Sequence, residues 1–145
     1  MAILNYTTKI DAWKTVSEIQ KILSQNNVTH SSIRNEGTFP VALSFTINFK
    51  GQPLNFLLPC NYEGVLSCFK KDRKVPNASK NSEQALRTAW RIVKDWVEAQ
   101  MAIIQSEQAS IEQVFLPYLI INPNGETLSS KMLHNDGLKL LTNNH

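Results

Sequence analysis

Histidine and cysteine are the residue types best suited to acid-base or nucleophilic work near neutral pH, and this chain has three of the first (His30, His134, His145) and two of the second (Cys60, Cys68). Their neighbours do not assemble a reaction. His30 stands between Thr29 and Ser31 with no carboxylate beside it, and His134 and His145 fall close to the carboxyl end. Cys60 follows Pro59, while Cys68 lies beside Leu66 and Phe69, where a thiol serves as a small apolar side chain. A catalytic thiol needs a base, and nothing in the spacing directs His30 toward either cysteine. Metal binding would need grouped His, Cys, Asp or Glu, yet no HExxH, CxxC or DxDxDG-like pattern occurs. The five glycines are isolated, so neither a Walker loop nor a dinucleotide fingerprint is present. No catalytic residue, metal or cofactor is assigned. A small enzyme with an unrecognised site remains one alternative reading.

Charge offers a second kind of chemistry. From Lys70 to Lys94 there are eight basic residues (Lys70, Lys71, Arg73, Lys74, Lys80, Arg87, Arg91, Lys94) against Asp72 and Glu83, a local net of +6. The remainder carries seven basic and ten acidic residues, a net of −3 within an overall +3. An anion-binding role would rest mostly on Lys70, Lys71, Arg73, Lys74, Lys80 and Arg87, and a nucleic-acid-binding protein using the 70–94 region is the second alternative. Opposing this, Arg91 with Asp95 and Lys94 with Glu98 form i,i+4 pairs of opposite sign, the usual mark of a solvated helix face. Trp90 falls on an apolar face and reads as core. Trp96 lies on its flank, suited either to a subunit contact or to a ligand, and joins Arg87 and Arg91 as a candidate binding residue.

The elements that must position these residues are legible in part. Thr15 followed by Glu18 has the form of a capping box, predicting a helix of about ten residues from Thr15 to the Asn26-Asn27 pair. Val28 to Arg34 reads as a short strand. Val41, Leu43, Phe45, Ile47 and Phe49 then alternate strictly with polar or small residues, Lys50-Gly51-Gln52 supplies a turn, and Leu54, Phe56 and Leu58 resume the alternation. The three strands form an antiparallel meander whose apolar face needs a cover of helices. A short helix from Tyr62 to about Phe69 runs into the basic stretch, and Val75 to Asn81 reads as a loop ending in a cap at Asn81 or Ser82. Glu83 to about Ser106 forms one long amphipathic helix, some 24 residues and ~36 Å. Leu86, Ala89, Trp90, Val93, Val97, Gln100, Met101 and Ile104 share one side, widened by Ile92, Trp96 and Ile103 to about half the circumference, more than a sheet alone requires. The excess predicts a second partner, another helix or another subunit, and hence a homo-oligomer. Ser110 with Gln113 caps a brief helix from Ile111 to Leu116, Tyr118 to Ile121 is extended, Asn122-Pro123-Asn124-Gly125 is a turn, and Thr127 caps a last short helix to Leu133. Residues 138–145 are expected to be a loose tail.

The fold class is therefore α+β, an antiparallel meander of about three strands packed on one long amphipathic helix and several short ones, in a single domain spanning residues 1–145. At this length folding buries roughly two-thirds of the unfolded surface, enough for one core. The two cysteines form no disulfide framework, Met1 to Lys14 has no basic region followed by an apolar core, and no apolar run approaches ~18 residues. A cytoplasmic protein with no membrane segment is expected.

The run Ala89-Trp90-Arg91-Ile92-Val93-Lys94-Asp95-Trp96-Val97-Glu98-Ala99-Gln100, with Val114-Phe115-Leu116-Pro117-Tyr118 and the Gly125-Glu126-Thr127-Leu128 turn, resembles a family of small phage and prophage proteins without an assigned activity. The likeness covers about Glu83 to Leu128, and its motif is structural, so it carries over no catalytic residues. It implies a viral setting inside a host cell, where small accessory proteins commonly bind and block host machinery. The leading expectation is a non-enzymatic phage accessory protein that acts by binding, inhibiting a host antiviral defence complex or sequestering its nucleotide signal. Its expected partner is that host protein or nucleotide, with nucleic acid as the alternative.

Overall fold

The computed structural model describes residues 2–134 and Thr142. The expected tail at 138–145 lies outside the described residues apart from Thr142. Chain order is α1 (Ala12–Ser24), β1 (Val28–Glu36), β2 (Phe39–Phe49), β3 (Gln52–Pro59), α2 (Tyr62–Lys71), α3 (Ser82–Gln105), α4 (Ile111–Phe115) and α5 (Leu128–Met132). The strands form one antiparallel sheet in the order β1-β2-β3, so the protein is of the α+β class.

The β2-β3 hairpin is set by its turn. Lys50 and Gly51 both have positive φ, 51° and 81°, the pair of left-handed conformations that a two-residue turn needs to match strand twist. Register then places Leu43 opposite Leu58, Phe45 opposite Phe56 and Ile47 opposite Leu54. Because side chains alternate across a strand, these form the inner face, and all but half-buried Leu54 are buried. Phe49 was expected on that face but is exposed, because it stands at the hairpin end beyond helical cover, with the Lys50 ammonium 5.3 Å from its ring centre.

The long helix α3 is continuous and capped by Asn81, whose side chain accepts from Gln84 N. Trp90 is fully buried at the centre of the core, and its indole Nε1 donates to Pro40 O at 2.9 Å. The helix does have more than one partner, as its wide apolar stripe requires. It packs against α1 and α2, and the amino-terminal segment crosses it. There Gln84 Nε2 donates to Tyr6 O and Thr8 O at 3.0 and 2.8 Å, and Thr88 Oγ1 donates to Asn5 O at 3.1 Å. These bonds explain why two polar residues, Gln84 and Thr88, are buried on α3. Ile3 and Tyr6 from the same segment join Phe69, Val75 and Ala85 in a small second core.

Phe115, ending α4, closes the far end by packing edge-on to Phe45 and Trp96. Trp96 also meets Tyr118 edge-on, with centroids 5.7 Å apart. The second apolar flank of α3 thus has neighbours within the same chain, and the homo-oligomer expectation loses the argument that supported it. The expected capping box at Ser110 is present in full, as is the Thr127 cap of α5. Leu119 bridges to Phe56 and Ile120 N donates to Asn55 O at 2.8 Å, so the extended segment lies along the free edge of β3.

One cap differs from expectation. Helix α1 starts at Ala12, not after Thr15, and Asp11 caps it by accepting from Trp13 N at 2.8 Å. Thr15 is buried inside the helix. Glu18, which a capping box would have turned back on its own helix, reaches across to α3.

Candidate functional site

The structure separates the thiol from the imidazole. His30 sits on β1 opposite Thr46, exposed, with Nδ1 3.1 Å from Thr29 Oγ1. Cys60 follows the β3 residue that pairs with Ala42, four residues back along β2, or about 13 Å away at strand rise. Cys60 is also buried, which pushes its thiol up from 9.0 to about 12 and leaves it protonated and weakly nucleophilic at neutral pH. Cys68 is exposed on α2. Among the described residues no cluster of three His, Cys, Asp or Glu could hold a metal ion, and no helix is long and apolar enough to cross a membrane.

The basic region divides in two. Lys70 and Lys71 close α2, Arg73 and Lys74 follow it, and all four side chains are exposed without an ion pair among the described residues. Asp72 stands within the group, its Oδ1 accepting from Lys74 N at 2.8 Å with no ion pair to the four cations among the described residues, and it borders the same groove as Lys71 and Arg73, so the five residues carry a net +3. Lys71 and Arg73, with Ile3 and Cys68, border an open groove of about 440 Å³. Lys80, half-buried, precedes the Asn81 cap of α3.

The cations of α3 behave differently. Arg87 donates through Nε and Nη2 to Gln84 Oε1 at 3.0 and 2.7 Å. Arg91 Nη1 pairs with Glu18 Oε2 at 3.2 Å and donates to Thr15 Oγ1 at 3.4 Å, and Lys94 reaches the same Glu18 oxygen at 3.6 Å while pairing with Glu98. The side chains of Arg91 and Lys94 are only 17% and 15% exposed. The Lys94–Glu98 pair forms as the i,i+4 spacing predicts, but Arg91–Asp95 does not, because Asp95 Oδ2 accepts from Asn5 Nδ2 at 2.9 Å. This face of α3 is a seam with α1 as much as a solvated surface.

Trp96 is brought together with neither Arg87 nor Arg91. At about 100° per residue it lies roughly 180° around α3 from Arg87, half-buried, bordering an apolar cleft of about 240 Å³ with Ile92, Pro59 and Tyr118. The tryptophan that does stand beside Arg87 is Trp13. The two border a cleft of about 300 Å³ at the amino ends of α1 and α3, together with Asp11, Glu83, Phe39 and Leu86. Sequence reasoning missed Trp13 because an aromatic at the start of an amphipathic helix carries no signal separating it from core. Its place on the polar side of α1, in line with Ser17, Gln20 and Ser24, was the one available hint.

Comparison of the chain with protein-family models, curated proteins and solved structures gives no match.

Proposed function

We propose that this protein works by binding an anionic partner, as a phage accessory protein that captures a component of host antiviral defence, either a nucleotide signal or an acidic face of a defence complex. The observation that carries this reading is the exposed group Lys70, Lys71, Arg73 and Lys74, which forms no ion pair among the described residues. Four cations within five residues repel one another and are offset only in part by Asp72 between them, an arrangement that an anionic ligand relieves. The phage setting comes from the resemblance of the α3–α5 sequence to small phage proteins. Support for binding over catalysis comes from the protonated, buried Cys60 and from its distance from His30.

The test is affinity purification from infected cells followed by mass measurement of everything retained, small molecules included, with the quadruple variant Lys70→Ala, Lys71→Ala, Arg73→Ala, Lys74→Ala in parallel. A nucleotide or host protein retained by the wild type and lost in the variant is the expected result. Equal retention by both proteins would remove the cationic group from the mechanism. Retention of nucleic acid would favour the nucleic-acid reading, whose affinity should fall with salt by roughly 0.9 log units per log unit for each phosphate neutralised.

A further inference from the structure

We propose that the cleft between the amino ends of α1 and α3 is a pocket for a purine base, selective for guanine, with Trp13 as the stacking wall, Glu83 as the hydrogen-bond acceptor and Arg87 as the donor. Three observations lead there. First, the indole of Trp13 is fixed and offered to the solvent: its Nε1 donates to Thr38 O at 3.1 Å, while the residue stays 43% exposed. A flat aromatic surface held in place is a stacking platform for a base. Second, Arg87 is preorganised. Gln84 Oε1 takes its Nε and Nη2, and Gln84 is in turn anchored to the backbone of Tyr6 and Thr8, leaving Nη1 without a bond among the described residues. Third, Glu83 sits one turn before Arg87, the spacing at which opposite charges usually pair, yet no ion pair joins them and the Glu83 carboxylate makes no hydrogen bond among the described residues. A helix turn therefore presents an acceptor and a donor about 5–6 Å apart at the Cβ atoms, near enough for both to reach one planar base.

The balance of charge says which part of a ligand belongs here. Asp11 and Glu83 outnumber Arg87, so the net negative lining would repel a phosphate but not an uncharged base. Guanine fits the pair best because it offers two adjacent donors, N1–H and the N2 amino group, to a carboxylate, and two acceptors, O6 and N7, to a guanidinium fork. Adenine offers a carboxylate only one exocyclic donor group. Buried Ala12, Leu86 and Pro40 give the cleft apolar surface beside its polar groups, so a planar base can meet both. Lys80 lies three residues before Glu83 in the chain, and a phosphate attached to the bound base is assigned to it. That phosphate half rests on the anion-binding function proposed above; the base half does not.

Titration calorimetry of the full chain with guanosine, guanosine monophosphate, adenosine monophosphate and inorganic phosphate separates the two. Guanosine should bind, guanosine monophosphate more tightly, and adenosine monophosphate about tenfold more weakly than its guanine counterpart. Glu83→Gln, which alters a side chain with no hydrogen bond or ion pair among the described residues, should weaken guanosine about tenfold and erase the preference over adenine. Trp13→Ala should weaken both purines by about tenfold, with circular dichroism checking that loss of the Thr38 bond leaves the fold intact. Failure of guanosine to bind, or binding unchanged in Glu83→Gln, overturns the pocket. If both monophosphates bind equally, vanish in the quadruple Lys/Arg variant and ignore Glu83→Gln, the pocket falls and the anion-binding surface stands. Guanosine binding that responds to Glu83→Gln but survives the quadruple variant upholds the pocket alone.

Discussion

The cations at the end of α2 and those along α3 belong to one basic stretch of sequence but have opposite fates. Lys70, Lys71, Arg73 and Lys74 stand in solvent, whereas Arg87, Arg91 and Lys94 are taken up by Gln84, Glu18 and Glu98. The difference is one of neighbours. Helix α1 lies along α3 and brings Glu18 to two cations at once, while in the turn after α2 Asp72 bonds the Lys74 backbone and forms no ion pair with the cations among the described residues. Formal charge counted along a chain therefore overstates the surface open to a ligand, and the part that counts is the part left without an internal partner.

The sharpest way to probe the contrast is to remove what holds α3 in place. Trp90→Ala deletes a fully buried side chain and its bond to Pro40, and urea denaturation should show a loss of about 3–5 kcal/mol. A loss below about 1 kcal/mol would mean that α3 is not the centre of the core. Glu18→Ala removes the ion pair of Arg91 on the α1 seam, leaving Lys94 with Glu98 alone, and should lose roughly 1–2 kcal/mol, a figure kept modest because the Glu18 side chain is about one-third exposed. The same experiment on Glu98→Ala, at an exposed i,i+4 pair, should change stability by no more than about 0.5 kcal/mol. The quadruple alanine variant of the α2 group should also stay within about 0.5 kcal/mol while losing its anionic partner, the pattern of a surface made for binding rather than folding. If instead it unfolded the protein, those side chains would have a structural role that their exposure denies.

The two cysteines sharpen the comparison from another side. Cys68 should react with a thiol-specific reagent in the native protein near pH 8, and Cys60 only on unfolding, because burial holds its thiol neutral up to about 12. The raised value has a sign in stability. Below about pH 9 both folded and unfolded states keep the proton, and above it the unfolded state releases the proton first, so this contribution to stability falls as pH rises from 9 toward 12. Cys60→Ser or Cys60→Ala should flatten that part of the pH profile.

Much of the fold was legible. The strict alternation of β2 and β3, the Lys50-Gly51 turn, the Asn81 cap and the Ser110–Gln113 box are local patterns whose geometry depends on residues a few positions apart, and each stands in the structure as the spacing implies. The start of α1 was misplaced because two caps competed: Asp11 captured the role that Thr15 and Glu18 had the form to play, and Thr15 was drawn into the core. The candidate site was less legible still. Trp96 and Arg87 share a helix but face opposite ways, and the aromatic that joins Arg87 arrives from α1, some seventy positions earlier in the chain.

By itself the sequence determined which segments become strands and helices, since periodicity, turns and caps act over one or two turns of chain. It determined also that α3 would need more than one neighbour, because an apolar stripe half a helix wide cannot be covered by a sheet alone. Only the tertiary structure decided which neighbours those are, which cations lose their freedom to Glu18 and Gln84, and which tryptophan stands open beside Arg87. Such pairings depend on distances between residues far apart in sequence, and no local pattern encodes them.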